Sequence, residues 1–444
     1  MKKNLSSEAA LKVMETLNIK FGKVLYNYFP DLKGLLKNTD DRRHQSYIYY
    51  PTEYIHLFSI LSFLFRVKSS NTTSIDLLGK KTVNNINSLL DIDLNKIINN
   101  GTLSYFYNYE NYSSEELQKI PSKLIKTIIR KRMLEKFRLK NLYYLIAIDG
   151  TGIASFKTRH CEKCLKKTRK DGTSYYFHNV LTAQLVINSG YTFPIDFEFI
   201  ENSDDKKYSK QDTEYTAFKR MLPRLIKTFP QEFFCLLLDG LYADSVIMSK
   251  IPDRWRFFIA LKDKDFKTVN EDFEGLKKLL KKNFVKYGDQ SFNFVNHMKY
   301  NDCEFSIIES KEPHTSPNAK SPILKLKYLT NFHITKSNVI KLLNKGGRLR
   351  GIIENEGYNV LKNYYSLEHL FKVKSLEAIK STIILACIAY IIFQFIIIGT
   401  CKSKDNVKFI FKTLNAFASK LKEMFLNYSL GDFKKNMRMS FDSS

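Results

Sequence analysis

Glycine and proline are scarce in this 444-residue chain, at 17 and 10. No Pro-, Gly- or Ser-rich stretch interrupts it, which excludes domains strung on flexible linkers and predicts units packed directly together. Cysteine is scarce as well: six in this length do not make a disulfide scaffold. The start, Met1-Lys2-Lys3-Asn4-Leu5-Ser6-Ser7-Glu8, lacks the apolar core of a secretory signal, so a reducing, cytoplasmic setting is expected. No segment repeats at a period of about 20–50 residues, which excludes a solenoid or propeller. Acidic residues are the last shortage. Only 45 Asp and Glu face 71 Lys and Arg, a net charge of +26. The abundance of Lys, Asn, Ile, Phe and Tyr fits an AT-rich coding bias, but such a bias does not explain why acids fail to match the bases. The excess favours a polyanionic partner, nucleic acid first, with a membrane surface or plain solvated charge as the other readings.

What is present supports a large core: 44% of residues are hydrophobic and 14% aromatic. Length suggests about two to four domains. The chain divides by pattern into a helical, basic region (1–140), an α/β region (141–265), a strand-rich region (266–335) and a helical, basic C-terminal region (336–444). Ser6 or Ser7 is placed to cap a first helix carrying Leu11, Met14, Leu17, Phe21, Val24 and Leu25 on one face. Residues 56–65 form a second, strongly apolar helix. Between Glu115 and Lys140 nine Lys or Arg face three Glu, with Arg130-Lys131-Arg132 the densest run. That stretch is a phosphate-tracking surface or a solvated helix face.

Strand-like runs follow at 142–148, 180–187, 191–200, 233–238 and 256–261, with a helix over 213–228 broken at Pro223. This order predicts a mixed sheet with helices packed on it. Alternation in Leu324-Lys325-Leu326-Lys327 places one face of a later strand in solvent. Two runs share a local pattern. Leu145-Ile146-Ala147-Ile148 is followed by Asp149-Gly150, and Leu236-Leu237-Leu238 by Asp239-Gly240. A carboxylate just past a buried strand stands at a sheet edge, where ligands and metals bind. A third carboxylate, Glu354, lies four residues after Arg350, with Lys362 about two turns further on; helical spacing puts Arg350 and Glu354 on one face. The other reading of that spacing is an intrahelical ion pair.

Taken in order, four stretches resemble the bacterial insertion-sequence transposases of the DDE type over roughly 142–371. They are Asp149-Gly150-Thr151-Gly152, Phe197 to Asn202 with Lys210-Gln211-Asp212-Thr213-Glu214, Leu238 to Tyr242, and Ile353 to Asn359 with Lys362-Asn363 and Leu367-Glu368-His369. The resemblance implies a ribonuclease-H-like mixed sheet with flanking helices, a β-rich insertion before the last acidic residue, and a helical N-terminal DNA-binding region. It implies that Asp149, Asp239 and Glu354 are the catalytic triad and that Arg350 contacts DNA near the cleaved end. The chain departs from the family pattern where Gly351 replaces an aromatic residue and Gly347 a tyrosine. The family lysine is expected seven after the glutamate, whereas Lys362 is eight after Glu354 and six after Glu356. Glu356 therefore stays open as the alternative to Glu354.

Three carboxylates are hard oxygen ligands suited to Mg²⁺ or Mn²⁺. Two such ions, about 4 Å apart, would activate water or a 3′-hydroxyl for in-line attack on phosphorus. The expected activity is cleavage at transposon ends and strand transfer into target DNA, by a dimer assembled on double-stranded DNA. The rivals are a nuclease or resolvase that cuts without joining, and an inactive DNA-binding remnant. Lys210-Gln211-Asp212 and Glu214 read more simply as a helix start with acids in its first turn.

Two further features stand apart. His160-Cys161-Glu162-Lys163-Cys164, with His178 downstream, suits a structural tetrahedral Zn²⁺; the other reading is free thiols on a hairpin beside the active site. Between Lys380 and Lys402 the chain has no charge. Spanning a bilayer takes about 20 such residues, so this is a membrane anchor or a helix buried in a soluble core. The favoured reading is no membrane: the helix follows the Glu354 region and packs beneath the sheet.

Overall fold

A computed structural model describes residues 7–67, 72–109, 112–202, 208, 211–262, 266–314, 321–365 and 375–439. Lys210 and the stretch Leu367-Glu368-His369 lie outside the described residues. The chain is mixed α/β, built on one sheet of parallel and antiparallel strands.

The sheet contains β1 (Tyr144–Phe156), β2 (Leu165–Thr168), β3 (Ser174–Ile187), β4 (Tyr191–Ile200), β5 (Phe234–Asp239), β6 (Arg256–Leu261), β7 (Phe284–Tyr287), β8 (Gln290–Tyr300), β9 (Cys303–Pro313) and β10 (Ile323–Thr330). Its order is β2-β3-β1-β5-β6-β10-β9-β8-β7, with β4 also paired to β3. β3 runs antiparallel to both β1 and β4, whereas β5 is parallel to β1 and to β6. The central strand β5 reads Phe-Cys-Leu-Leu-Leu before its Asp and is buried throughout that run, as expected for a parallel strand covered on both faces. The strands within 266–335 continue this sheet, because β10 pairs antiparallel with β6.

Two sequence expectations change. The first strand does not stop at 148: β1 continues to Phe156 because residues past Asp149 keep an antiparallel partner in β3. Pairing with β5, by contrast, ends at Ala147 and Leu237. Asp149 therefore sits mid-strand, at the point where one edge of β1 opens. The second change is that Glu214–Thr228 runs through Pro223 without a break. The helix stays anchored on β4 because Arg224 pairs with Asp196 at 2.9 Å and Glu198 at 2.7 Å, and Arg220 with Glu198 and Asp212, each at 2.6 Å.

The uncharged segment forms most of the helix Leu376–Cys401, with a mean hydropathy of 2.5 over its most apolar window, 94% of which is buried inside the fold. It packs against Leu17–Tyr28, Thr52–Leu64 and β4. An apolar surface all the way round is what full burial requires. Its polar residues are paired. Gln394 donates to the Thr192 carbonyl at 2.6 Å and accepts from the Thr192 amide at 3.2 Å, as a neighbouring strand would. That pairs the free edge of β4 at Thr192.

Candidate functional site

Asp149, Asp239 and Glu354 come from distant parts of the chain and meet around Arg350. Its Nη2 lies 3.4 Å from Asp149 Oδ1 and 3.3 Å from Asp239 Oδ2, and its Nη1 lies 3.6 Å from Glu354 Oε1. The two aspartates owe their proximity to parallel pairing of β1 with β5. Asp239 ends β5 and caps the short helical turn Gly240–Tyr242 by accepting the Gly240 amide at 2.5 Å.

Glu354 is delivered differently. Residues Gly347–Gly351 form a 3₁₀ turn, Ile353–Tyr358 a π-helical segment and Asn359–Tyr365 an α-helix. Such π segments are rare and concentrate at functional sites. This one is pinned at its far end. Tyr358 donates to the backbone carbonyl of Asp149 at 2.5 Å and its hydroxyl lies 2.8 Å from that of Thr182, which faces Asp149 across the β1–β3 ladder. Gly357 passes so close to β3 that a Cβ there would stand 2.6 Å from Gln184 Oε1. Glu356 points elsewhere: its carboxylate takes Lys404 at 2.6 Å, and its carbonyl accepts from Tyr390 of the long buried helix at 2.5 Å. The structure thus brings Glu354, and not Glu356, to Arg350.

A fourth carboxylate joins the group. Glu214, first residue of its helix, lies against Gly150, where any Cβ would collide with the Glu214 carboxylate. Burial raises the pKa of Glu214, with Asp239 pushing it further the same way and Arg350 opposing. Sequence pattern gave Glu214 only a helix-start role, because nothing local signals a contact with Gly150, about 60 residues earlier. The Asp-Gly pairing was the available hint: glycine at 150 leaves room for a neighbour. Burial also pushes Asp149 up to about 6. Arg350 pulls it down, while Glu214 and Glu354 push it up. Up to four negative groups thus surround one guanidinium.

The other expected residues sit on two further elements. Lys362 is half-buried on Asn359–Tyr365. Arg130, Lys131 and Arg132 are exposed at the end of Ile120–Arg130. The chain from there enters β1 through the Leu139–Tyr143 bridge. Asp149 is five residues beyond Tyr144, about 17 Å along the strand, so the basic run approaches β1 at its start, short of Asp149.

His160, Cys161, Cys164 and His178 do converge. One ligand atom from each lies within 4.8 Å of all the others, an arrangement that could hold a metal ion. Among the described residues this set, and not the carboxylates, meets that spacing. No known family model matches the chain, and no curated protein matches it in sequence.

Proposed function

We propose that this protein is a DNA transposase that uses Asp149, Asp239 and Glu354 to cut at transposon ends and join them to target DNA. The observation that carries the reading is the gathering of these carboxylates around Arg350, where β1 parts from β5. The strand arrangement supports it. An antiparallel β4-β3-β1 meander followed by parallel β5 and β6 is the order of a ribonuclease-H-like sheet, with the acidic residues on its first and fourth core strands. The net charge of +26 favours a polyanionic partner.

The donors are of the type that Mg²⁺ or Mn²⁺ takes. Asp149, Asp239 and Glu354 offer hard oxygens, and burial raises the carboxyls of Asp149 and Glu214, a penalty on their charge that a bound cation would offset. When bound, two such ions supply Lewis acidity to the attacking and leaving oxygens. The chain's own residues do the rest. Tyr358 and Thr182 hold the strand at Asp149, and the π segment holds Glu354 across from it. Arg350 balances the carboxylates at rest and is placed to take a DNA phosphate near them, through a fork geometry that suits phosphate oxygens. Joining two transposon ends calls for two such sites, hence a dimer on DNA.

The test is incubation of the full chain with Mg²⁺, DNA ending in the inverted repeats that flank its gene, and a target plasmid. Joined products are expected. Cleavage without joining would assign a nuclease or resolvase instead, and binding without cleavage an inactive remnant.

A further inference from the structure

The turn between β1 and β3 is built as a metal knuckle. Cys161 and Cys164 Sγ atoms stand 3.8 Å apart, and each lies 3.4 Å from His178 Nε2. A tetrahedral Zn²⁺ with Zn–S of about 2.3 Å and Zn–N of about 2.0–2.1 Å requires S···S near 3.8 Å and S···N near 3.5 Å. The side chains already hold those separations, and His160 supplies the fourth ligand atom within the same 4.8 Å group.

The surroundings fix that geometry. The amides of Lys163 and Cys164 donate toward the Cys161 sulfur, and the Cys161 amide donates to Cys164 Sγ at 3.4 Å. Arg159 donates to the carbonyls of Cys161 and Glu162, each at 3.3 Å, and the Asn202 amide donates to the Lys163 carbonyl at 3.0 Å. The Phe156 ring stacks on His160 at 4.4 Å and 12° and meets His178 edge-on at 6.2 Å, orienting both imidazoles. Ligand orientation by outer contacts is a mark of built metal sites. A pair of cysteines with an ordinary packing role needs none of these features.

We propose that Cys161, Cys164, His178 and His160 hold a structural Zn²⁺ that locks the β1–β2–β3 turn. The site is closed: four protein ligands leave no open position for a reacting group, so this ion does no catalysis. Its effect is positional. His178 faces Ala154 in the β1–β3 ladder, and β1 carries Asp149. From the other side, Gln211 clamps both backbone groups of Lys166 at 2.6 and 3.0 Å, shortly before Glu214 begins its helix. The knuckle therefore braces two strands and the loop that frame the carboxylates. This inference stands on its own residues, whether or not the carboxylates cut DNA.

Metal content of the purified full chain is the test. Wild type and Asp149→Asn are each expected to hold about one Zn²⁺ per chain, and Cys161→Ser or Cys164→Ser less than about a tenth of that. Co²⁺ exchanged into wild type should show intense thiolate-to-cobalt charge transfer and visible bands of tetrahedral strength. This measurement needs no variant to fold. Folded wild-type protein without zinc and without those cobalt bands overturns the proposal. So does zinc retained by a folded Cys161→Ser chain, or a Cys161–Cys164 disulfide in metal-free, reductant-free protein that stays fully folded.

Discussion

At neutral pH, Asp149→Asn is expected to make the resting protein more stable while leaving its site inert. Asp149 is largely buried, its side chain 18% exposed, and burial with its acidic neighbours moves its carboxyl from an ordinary 3.8 to about 6. A shift of roughly 2 units corresponds to on the order of 3 kcal/mol of penalty for the ionised form in the folded state. Because the folded pKa is raised, the folded chain holds the proton more tightly than the unfolded one. The contribution of Asp149 to stability is greatest below about pH 3.8 and is lost as pH rises through about 6. Asn carries no charge at any pH and escapes the penalty. With about 2.1 cal/mol/K of unfolding entropy per residue, the gain raises Tm by about 3 °C at pH 7.5. The difference should shrink to about a fifth near pH 4, where folded Asp149 is neutral and the unfolded carboxyl is about half protonated. Thermal unfolding of metal-free wild type and variant at the two pH values is the assay. A variant no more stable than wild type at pH 7.5 would refute the electrostatic account of the site. The trade of stability for a charged, functional cluster is a common one.

The remaining predictions address neighbours of that cluster. Gly150→Ala puts a methyl group where the Glu214 carboxylate lies; DNA cleavage should fall at least about tenfold, a barrier rise near 1.4 kcal/mol, with the fold retained by circular dichroism. Unchanged cleavage would remove Glu214 from the site. Arg350→Ala removes the guanidinium that lies against three carboxylates; the acid limb of the pH–activity profile should move to higher pH, and a profile that stays in place contradicts the assignment. Gln394→Ala leaves the Thr192 amide and carbonyl unpaired in the buried edge of β4. Each orphaned group costs about 1–3 kcal/mol, to be read as a lower denaturation midpoint. A midpoint equal to wild type would mean that edge is closed in some other way.

Much of this architecture was legible because it is written in local patterns. An apolar run followed by Asp-Gly located both aspartates, and the four-residue spacing of Arg350 and Glu354 placed them together although the backbone there is 3₁₀ and π rather than α. The π segment itself has no periodic signature, since it depends on Tyr358 reaching Thr182 and the Asp149 carbonyl. The extension of β1 to Phe156 was hidden for a similar reason. Apart from Ile153 and Phe156, residues 150–156 are polar or small, and their strand character comes from the partner β3. Glu214 looked like a helix start because its contact with Gly150 is tertiary. The strongly apolar helix Leu376–Cys401 was ambiguous by composition alone; what separates core from membrane is its packing and the pairing of Gln394 with Thr192.

The claim at the centre is that Asp149, Asp239 and Glu354 form one phosphodiester-cutting site. Single-turnover cleavage of DNA carrying the gene's own terminal repeats, with Mg²⁺, tests it most directly. Asp149→Asn, Asp239→Asn and Glu354→Gln should each abolish cleavage while end binding stays near the wild-type level. Cleavage at the wild-type rate by any one of the three would contradict the site as drawn.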